Sequence, residues 1–501
     1  RAANGYTQAA AGYYAFAATP EQVAAGDWAS VFGTAPRVFG IGYGNNEGHS
    51  QYTATMNVHN FSAYVQDNWD ISRRFKLSYG LRVELPVYPD LKDNYNEAYY
   101  NLDFGGQHYR TDQTPDARLS FSPRVGFNWD VLGNRRFVLR GGSGLFVGRI
   151  PYSWLVSSVL NSGMGQTTTV LRAAKGNAMP QYADGSYSPA NREEMLAAIG
   201  ATSKTSIPSS PTILASDLKN PTTWKSSLAA DFRLPGDVDF SVEGLYSREL
   251  NPVVVGNRDI YWDGTSTVTL SPYDTRRSYS YYDPNYSCYV LENAGKKAYY
   301  WSITASLRKS WDFGLALSAA YTHSKARAYT EGIGDQVSGA YNNYRFSVNG
   351  VNDNELGYAT YVQPNRVLLT ANYTIDEGRR TNSVISLMYE GGEVGFVGGY
   401  QFTRYSYIFA ANVNNDALAP GNLIRAELDE WAFADNGTFT DEGGVKQPYT
   451  ADMQRDDFWQ FINQDSYLKN HKGEYAERGG AKMPWHHQVN FKFEQNIFFT
   501  Q

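Results

Sequence analysis

From Phe75 to Leu85 every odd position is apolar (Phe75, Leu77, Tyr79, Leu81, Val83, Leu85) and every even one is small, polar or charged (Lys76, Ser78, Gly80, Arg82, Glu84). Side chains of an extended chain alternate between two faces, so this run predicts a strand with one apolar and one polar face. The run 119–131 repeats the pattern, with Leu119, Phe121, Pro123, Val125, Phe127, Trp129 and Val131 on one side. So does 224–234, through Trp224, Ser226, Leu228, Ala230, Phe232 and Leu234. Less regular alternation at 61–69, 137–147, 238–246, 299–309, 313–321, 365–374, 382–390 and 485–497 brings the expected number of strands to eleven. Strands of soluble proteins run about five or six residues, whereas a tilted strand crossing a bilayer needs about nine to eleven. These have the membrane length. Aromatics stand near their ends, as at Phe61, Trp69, Phe127, Trp129, Trp224, Tyr299, Trp301, Phe313, Tyr321 and Trp485, where a headgroup boundary favours them.

The connections sharpen the reading. In order they are 70–74, 86–118, 132–136, 148–223, 235–237, 247–298, 310–312, 322–364, 375–381 and 391–484, and short alternates with long throughout. Antiparallel strands of an outer-membrane barrel are joined in this way, by short periplasmic turns and long extracellular loops. The short turns carry turn-forming residues: Leu132-Gly133-Asn134, Pro235-Gly236-Asp237 and Asp376-Glu377-Gly378. The expected fold is therefore all-β, an antiparallel transmembrane β-barrel, with residues 1–60 a loop and connecting segment leading into it and 61–501 part of the barrel. A soluble all-β carbohydrate-binding protein is disfavoured by strand length and loop asymmetry.

Composition removes other classes. The 501 residues carry 44 Lys+Arg against 50 Asp+Glu, a net charge of −6, which offers no basic surface for nucleic acid. The single thiol, Cys288, excludes a disulfide framework and a cysteine-based zinc site. The longest apolar run, Ala9 to Ala18, is ten residues and contains Gly12, too short for a membrane helix. The chain opens at Arg1 without an initiator Met or charged leader, and the strand pattern Val489-Asn490-Phe491-Lys492-Phe493 runs almost to Gln501. It reads as an internal piece of a longer protein.

Enzyme signatures are absent. Gly141-Gly142-Ser143-Gly144-Leu145 lacks the second glycine of a nucleophile elbow and lies in a strand. Gly40-Ile41-Gly42-Tyr43-Gly44 lacks the helix of a dinucleotide fingerprint. Neighbours in a strand point to opposite faces, so His486 and His487 do not form a metal pair. Asn412-Val413-Asn414-Asn415-Asp416 is rich in oxygen but lacks the spacing of a calcium loop, and reads as a solvated turn. No catalytic residue, metal ligand or cofactor is assigned. One loop stands out: 247–298 holds Tyr273, Tyr279, Tyr281, Tyr282, Tyr286 and Tyr289 with Arg276 and Arg277. Rigid, amphipathic tyrosines suit contact with sugars or peptides. The alternative is that they pack the loops on one another. Tyr279, Tyr281, Tyr282, Arg276 and Arg277 are the candidate ligand contacts.

Phe61-Ser62-Ala63-Tyr64-Val65-Gln66-Asp67-Asn68-Trp69 followed by Leu77-Ser78-Tyr79-Gly80-Leu81-Arg82 resembles a barrel hairpin of TonB-dependent outer-membrane receptors. Phe121-Ser122-Pro123-Arg124-Val125-Gly126-Phe127, the run from Arg140 to Trp154, Lys219-Asn220-Pro221, and Asn414-Asn415-Asp416 with Asn422-Leu423-Ile424 resemble the Oar-like (SusC-related) branch. The resemblance spans roughly 55–500. It implies a 22-strand barrel, of which about half is here, whose plug domain and closing strands lie outside the chain. It also implies energy-dependent import of a large solute, an oligosaccharide or peptide, across a Gram-negative outer membrane. The implied partners are membrane lipid, TonB–ExbB–ExbD acting through an N-terminal region outside the chain, and a surface lipoprotein. The competing expectation is a non-transporting surface barrel acting in adhesion or secretion.

Overall fold

The computed structural model describes residues 2–4, 11–173, 176–182, 185–187, 191–267, 276–295, 298–329, 337–342, 349–350, 352–376, 381–397, 400–405, 437–441, 443–471 and 477–497. Eleven long strands form its largest sheet: β1 His59–Asp70, β2 Phe75–Val87, β3 Ser120–Asp130, β4 Phe137–Val147, β5 Thr222–Leu234, β6 Val238–Glu249, β7 Tyr299–Ser310, β8 Leu315–Ala328, β9 Asn365–Asp376, β10 Thr381–Glu393 and β11 Trp485–Ile497. Each pairs antiparallel with its sequence neighbour, from β1 through to β11. This is the meander that alternating short and long connections dictate. β1 and β11 are the two edges of the sheet.

The register carries one set of side chains along one face. Val65 lies opposite Leu81, and Leu81 opposite Pro123. Further round, Leu228 faces Gly141 and Gly244, and Gly244 faces Ile303. Large apolar side chains on this face remain exposed, among them Phe61, Val65, Leu81, Val125, Leu228, Ile303, Leu307, Leu369, Leu387 and Phe491. A contiguous apolar band of this size is tolerated when it meets hydrocarbon. The opposite face is polar. Arg140 reaches Asp231 on β5 at 2.9 Å and Glu243 on β6 at 3.1 Å, Arg366 bridges to Glu390 at 2.8 Å, and Thr304 and Thr322 share a hydrogen bond of 2.9 Å.

The strands are longer than the alternation alone marks, and most of the growth is toward the long loops. β6 continues to Glu249 rather than 246, and β10 to Glu393 rather than 390. The strand read as 313–321 is Leu315–Ala328, so Phe313 belongs to the turn and the following loop begins at 329. The reason is visible on β8. Past Leu317 and Tyr321 the apolar face continues as His323, Lys325 and Arg327, which register with Ile303, Trp301 and Tyr299. Beyond the hydrocarbon that face is free to be polar, so the period-two signal ends while the hydrogen-bonded ladder continues.

Turn residues act as their types require. In the β3–β4 turn the Asp130 carboxylate accepts from the backbone N–H groups of Gly133 and Arg135 at 2.8 and 3.0 Å. In the β5–β6 turn Gly236 and Asp237 both have positive φ, 76° and 56°. Residues of this kind tolerate the left-handed region. The β9–β10 turn, 377–380, lies outside the described residues, as does Asn412–Asp416.

The long connections fold into a layer of their own. The helix Tyr152–Leu160 is buried from Trp154 onward and packs with Met56, Leu214, Val255, Leu291 and Tyr341. Ser157 and Ser158 are enclosed with its apolar residues because their hydroxyls donate to the Ser153 and Leu155 carbonyls of the same helix. Val38–Gly44, from the segment expected only to lead into the barrel, pairs antiparallel with Gln166–Arg172. Thr212–Leu214 runs parallel to Tyr289–Leu291, which in turn pairs with Val253–Asn257. No described helix is long and apolar enough to cross a membrane.

Candidate ligand-contact surface

The loop 250–298 places its aromatic residues through a small hairpin. Ile260 pairs with Tyr281 and Tyr261 with Ser280, and just past Tyr261 the chain turns at Asp263. Its carboxylate accepts from the hydroxyl and backbone N–H of Ser266 and from the N–H of Thr265, which holds it well below the usual carboxylate range. An Asp followed by Gly264 and two hydroxyl residues is a turn former of this kind.

Tyr281 and Tyr282 are both 43% exposed. The Tyr282 ring stacks on Tyr261 with centroids 4.3 Å apart and planes 23° apart. Its backbone N–H donates to the Asp259 carbonyl at 2.9 Å. On its other side it lies against Gly105 of the loop 88–119, where a Cβ would collide with the ring. Arg277 sets its guanidinium 4.5 Å from the Trp262 ring centre, and Trp262 is fixed by donating Nε1–H to the Ser266 carbonyl at 2.7 Å. The rings of Tyr261, Trp262 and Tyr282 and the Arg277 guanidinium are thereby held in place, with Trp262 and Tyr282 partly open to solvent. Preorganised rings of this sort bind flat or apolar groups at little entropic cost.

The expected contacts separate into two groups. Tyr281, Tyr282 and Arg277 all reach solvent, but the register sets Tyr281 with Ile260 on the face opposite Tyr261 and Tyr282. Arg276 is 2% exposed and enclosed by the loop. Tyr279 donates its hydroxyl to the Asn349 carbonyl, and burial raises its pKa. Of the remaining tyrosines, Tyr289 packs at a tilt against Tyr341 in the core and Tyr286 packs beside Cys288 and Tyr99. Tyr273 lies outside the described residues. Tyr261 and Trp262 are additions. The Asp263-Gly264 turn marks a bend after them, but nothing local gives their pairing with Ser280–Tyr281 across the segment 262–279.

Among the described residues no cluster of three or more His, Cys, Asp or Glu side chains is arranged to hold a metal ion. His487 is hydrogen-bonded to the Tyr389 hydroxyl at 2.8 Å and stacked against Trp485. The registers Gly391–His487 and Gly392–His486 put the two histidines on opposite faces of β11. Gly141–Leu145 lies within β4, and Gly40–Gly44 within the strand Val38–Gly44.

Cys288 is fully buried, and desolvation pushes its thiol up to about 12. The thiolate is the reactive species. The unmodified protein should therefore stay unlabelled by maleimide at pH 8 and react stoichiometrically once denatured. Rapid labelling of the folded chain would contradict this placement.

A family model for the outer membrane beta barrel domain matches residues 1–493. No curated protein matches the chain. Solved structures with a similar course of chain include a ferric enterobactin receptor (PfeA) from Pseudomonas aeruginosa, at 12% identity and TM-score 0.35, covering 69% of this chain and 34% of that one. The copper transporter OprC follows at 11% identity and TM-score 0.36, covering 70% and 37%. The outer membrane transporter YddB from Escherichia coli has 10% identity and TM-score 0.39, covering 72% and 39%. The chain thus spans between 34% and 39% of the length of these proteins. With the meander, the outward apolar band and a family match over nearly its whole length, the chain is β-barrel wall of the Gram-negative outer membrane and belongs to the outer membrane beta barrel domain family.

Proposed function

We propose that the chain forms wall and outer mouth of an outer-membrane importer for a large solute of the oligosaccharide or peptide class, working without covalent chemistry. One observation carries the reading. A preorganised aromatic cluster, Tyr261, Trp262 and Tyr282 with Arg277, sits in the long-loop layer of a sheet whose inner face is polar and charged, and Tyr281 is exposed beside it on the other face of the same segment. Solute captured at such a mouth has a hydrophilic wall to pass along. In hydrocarbon the open edges of β1 and β11 require partner strands, because no water is present to satisfy their backbone groups. This favours the larger barrel that the receptor-like hairpin of β1 and β2 implies. Energy would come through TonB–ExbB–ExbD acting on a plug outside this chain. Membership of the Oar-like branch and a surface lipoprotein partner are parts of the same proposal.

Binding is the first test. Full-length protein in detergent, titrated with oligosaccharides and peptides, should lose affinity when Tyr281→Ala and Tyr282→Ala are combined. Two ring contacts at about 0.5–1.5 kcal/mol each predict a loss of roughly five- to a hundredfold, with assembly unchanged. Unaltered affinity for both ligand classes would return the two rings to loop packing. Ligand binding without any uptake in cells would favour the adhesion or secretion reading.

Orientation is the second. The long loops should face outward and the short turns the periplasm. On intact cells an impermeant thiol reagent should label Tyr282→Cys and leave Gly236→Cys unlabelled until the outer membrane is opened. The buried Cys288 should give no background. The reverse labelling order would sink the proposed orientation.

A further inference from the structure

The apolar face of the sheet is hollow at one place. Across β7 to β10 a cavity of about 440 Å³ opens on that face, close to the β7–β8 turn. Its shape follows from the register. Ala319 lies between Leu307 and Leu369 in one row of paired residues, and Ala371 between Leu317 and Leu387 in the next. Two adjacent rows thus read large, small, large, and the two alanines make an oblique floor between four leucines. The leucines are exposed as walls, each 40–46%.

One end of this groove is cationic. Lys309 precedes Trp311 by two residues, about 7 Å along the strand at the usual rise, and its amino group lies 4.7 Å from the Trp311 ring centre. Among the described residues its amino group has no carboxylate within ion-pair distance. A lysine at the end of a lipid-facing strand extends its stem along apolar surface and holds its charge at the headgroup level.

We infer that this groove is a specific site for one anionic glycerophospholipid, with an acyl chain laid over Ala319 and Ala371 and the phosphate at Lys309. Apolar walls facing hydrocarbon select a chain, and an unpaired cation at the boundary selects a negative headgroup. Assignment to the inner leaflet rests on the orientation proposed above. Binding itself does not, so the measurement below and the labelling experiment fail independently.

Native mass spectrometry of the full protein, released from micelles containing equal phosphatidylglycerol and phosphatidylcholine, reads the site directly. The wild type should retain one phosphatidylglycerol in preference to phosphatidylcholine. Lys309→Gln should lower that preference about fivefold, the factor for one lysine charge near a lipid surface, and Lys309→Arg should keep it. Ala371→Leu fills the floor and should lower retention of both lipids. Ala319→Leu is the second filling variant if the first does not assemble, and heat-modifiable gel mobility reports assembly. The inference is overturned if the wild type shows no headgroup preference, if Lys309→Gln retains it, or if filling the groove leaves retention unchanged. A dimer that excludes lipid from this face would overturn it too, by giving the groove to a second copy of the chain.

Discussion

Leu81→Arg should cost the folded barrel about 2–4 kcal/mol, the usual penalty for a cation on the lipid face near the bilayer midplane. Leu81 is the seventh of the thirteen residues of β2, 39% exposed on the apolar face between Val65 and Pro123. An arginine there has hydrocarbon on one side, and the nearest acid on that face, Asp67, lies one row away and already accepts from the Tyr79 hydroxyl at 3.1 Å. Arg82, one residue along, is the control. It projects from the polar face and pairs with Glu84 at 2.7 Å, with the arginine side chain 37% exposed. A partly exposed pair contributes about 0–1 kcal/mol, so Arg82→Gln should shift stability by no more than that. Urea titration of both variants folded into bilayers decides the matter. Equal losses would mean that the two faces have been assigned wrongly.

Asn96→Ala should uncouple the long loops from one another. Asn96 is 4% exposed and caps the short helix Glu97–Tyr100 by accepting from the Tyr99 N–H at 3.0 Å. Its amide nitrogen donates to the carbonyls of Ser162, at 3.0 Å, and Ser206, at 2.7 Å, both in the loop 148–221. Truncation removes the cap and leaves the buried Ser162 carbonyl and the half-buried Ser206 carbonyl without that donor. Each uncompensated group costs about 1–3 kcal/mol, and a lost cap about 0.5–2 kcal/mol. The loss falls on the loop layer, because the strands do not depend on it. Limited proteolysis should therefore cut within 88–119 and 148–221 while the strands stay protected in membranes. Resistance equal to wild type would show that the helix Tyr152–Leu160 and its apolar contacts hold the layer by themselves.

The two variants separate what each level of description determines. The wall was legible in the sequence because one local rule, alternation with period two, is enforced along every strand by a sharp boundary between hydrocarbon and polar lumen. Phe75–Leu85 needed no partner to reveal its faces, and the short turns fixed which strands are neighbours. The rule lapses where the boundary does, so the extensions of β6, β8 and β10 beyond the membrane were missed. It is silent in the loops. Nothing local says that Val38–Gly44 will pair with Gln166–Arg172, more than a hundred residues away, or that Thr212–Leu214 will run parallel to Tyr289–Leu291. The helix Tyr152–Leu160 is buried all round from Trp154, its Ser157 and Ser158 included, so its pattern does not show which side meets which loop. The candidate surface divides in the same way. Tyrosine density pointed to the loop 250–298, but only the tertiary structure decided that Tyr281, Tyr282 and Arg277 reach the surface while Arg276 and Tyr279 are taken into packing, because burial of each ring depends on which distant loop arrives behind it.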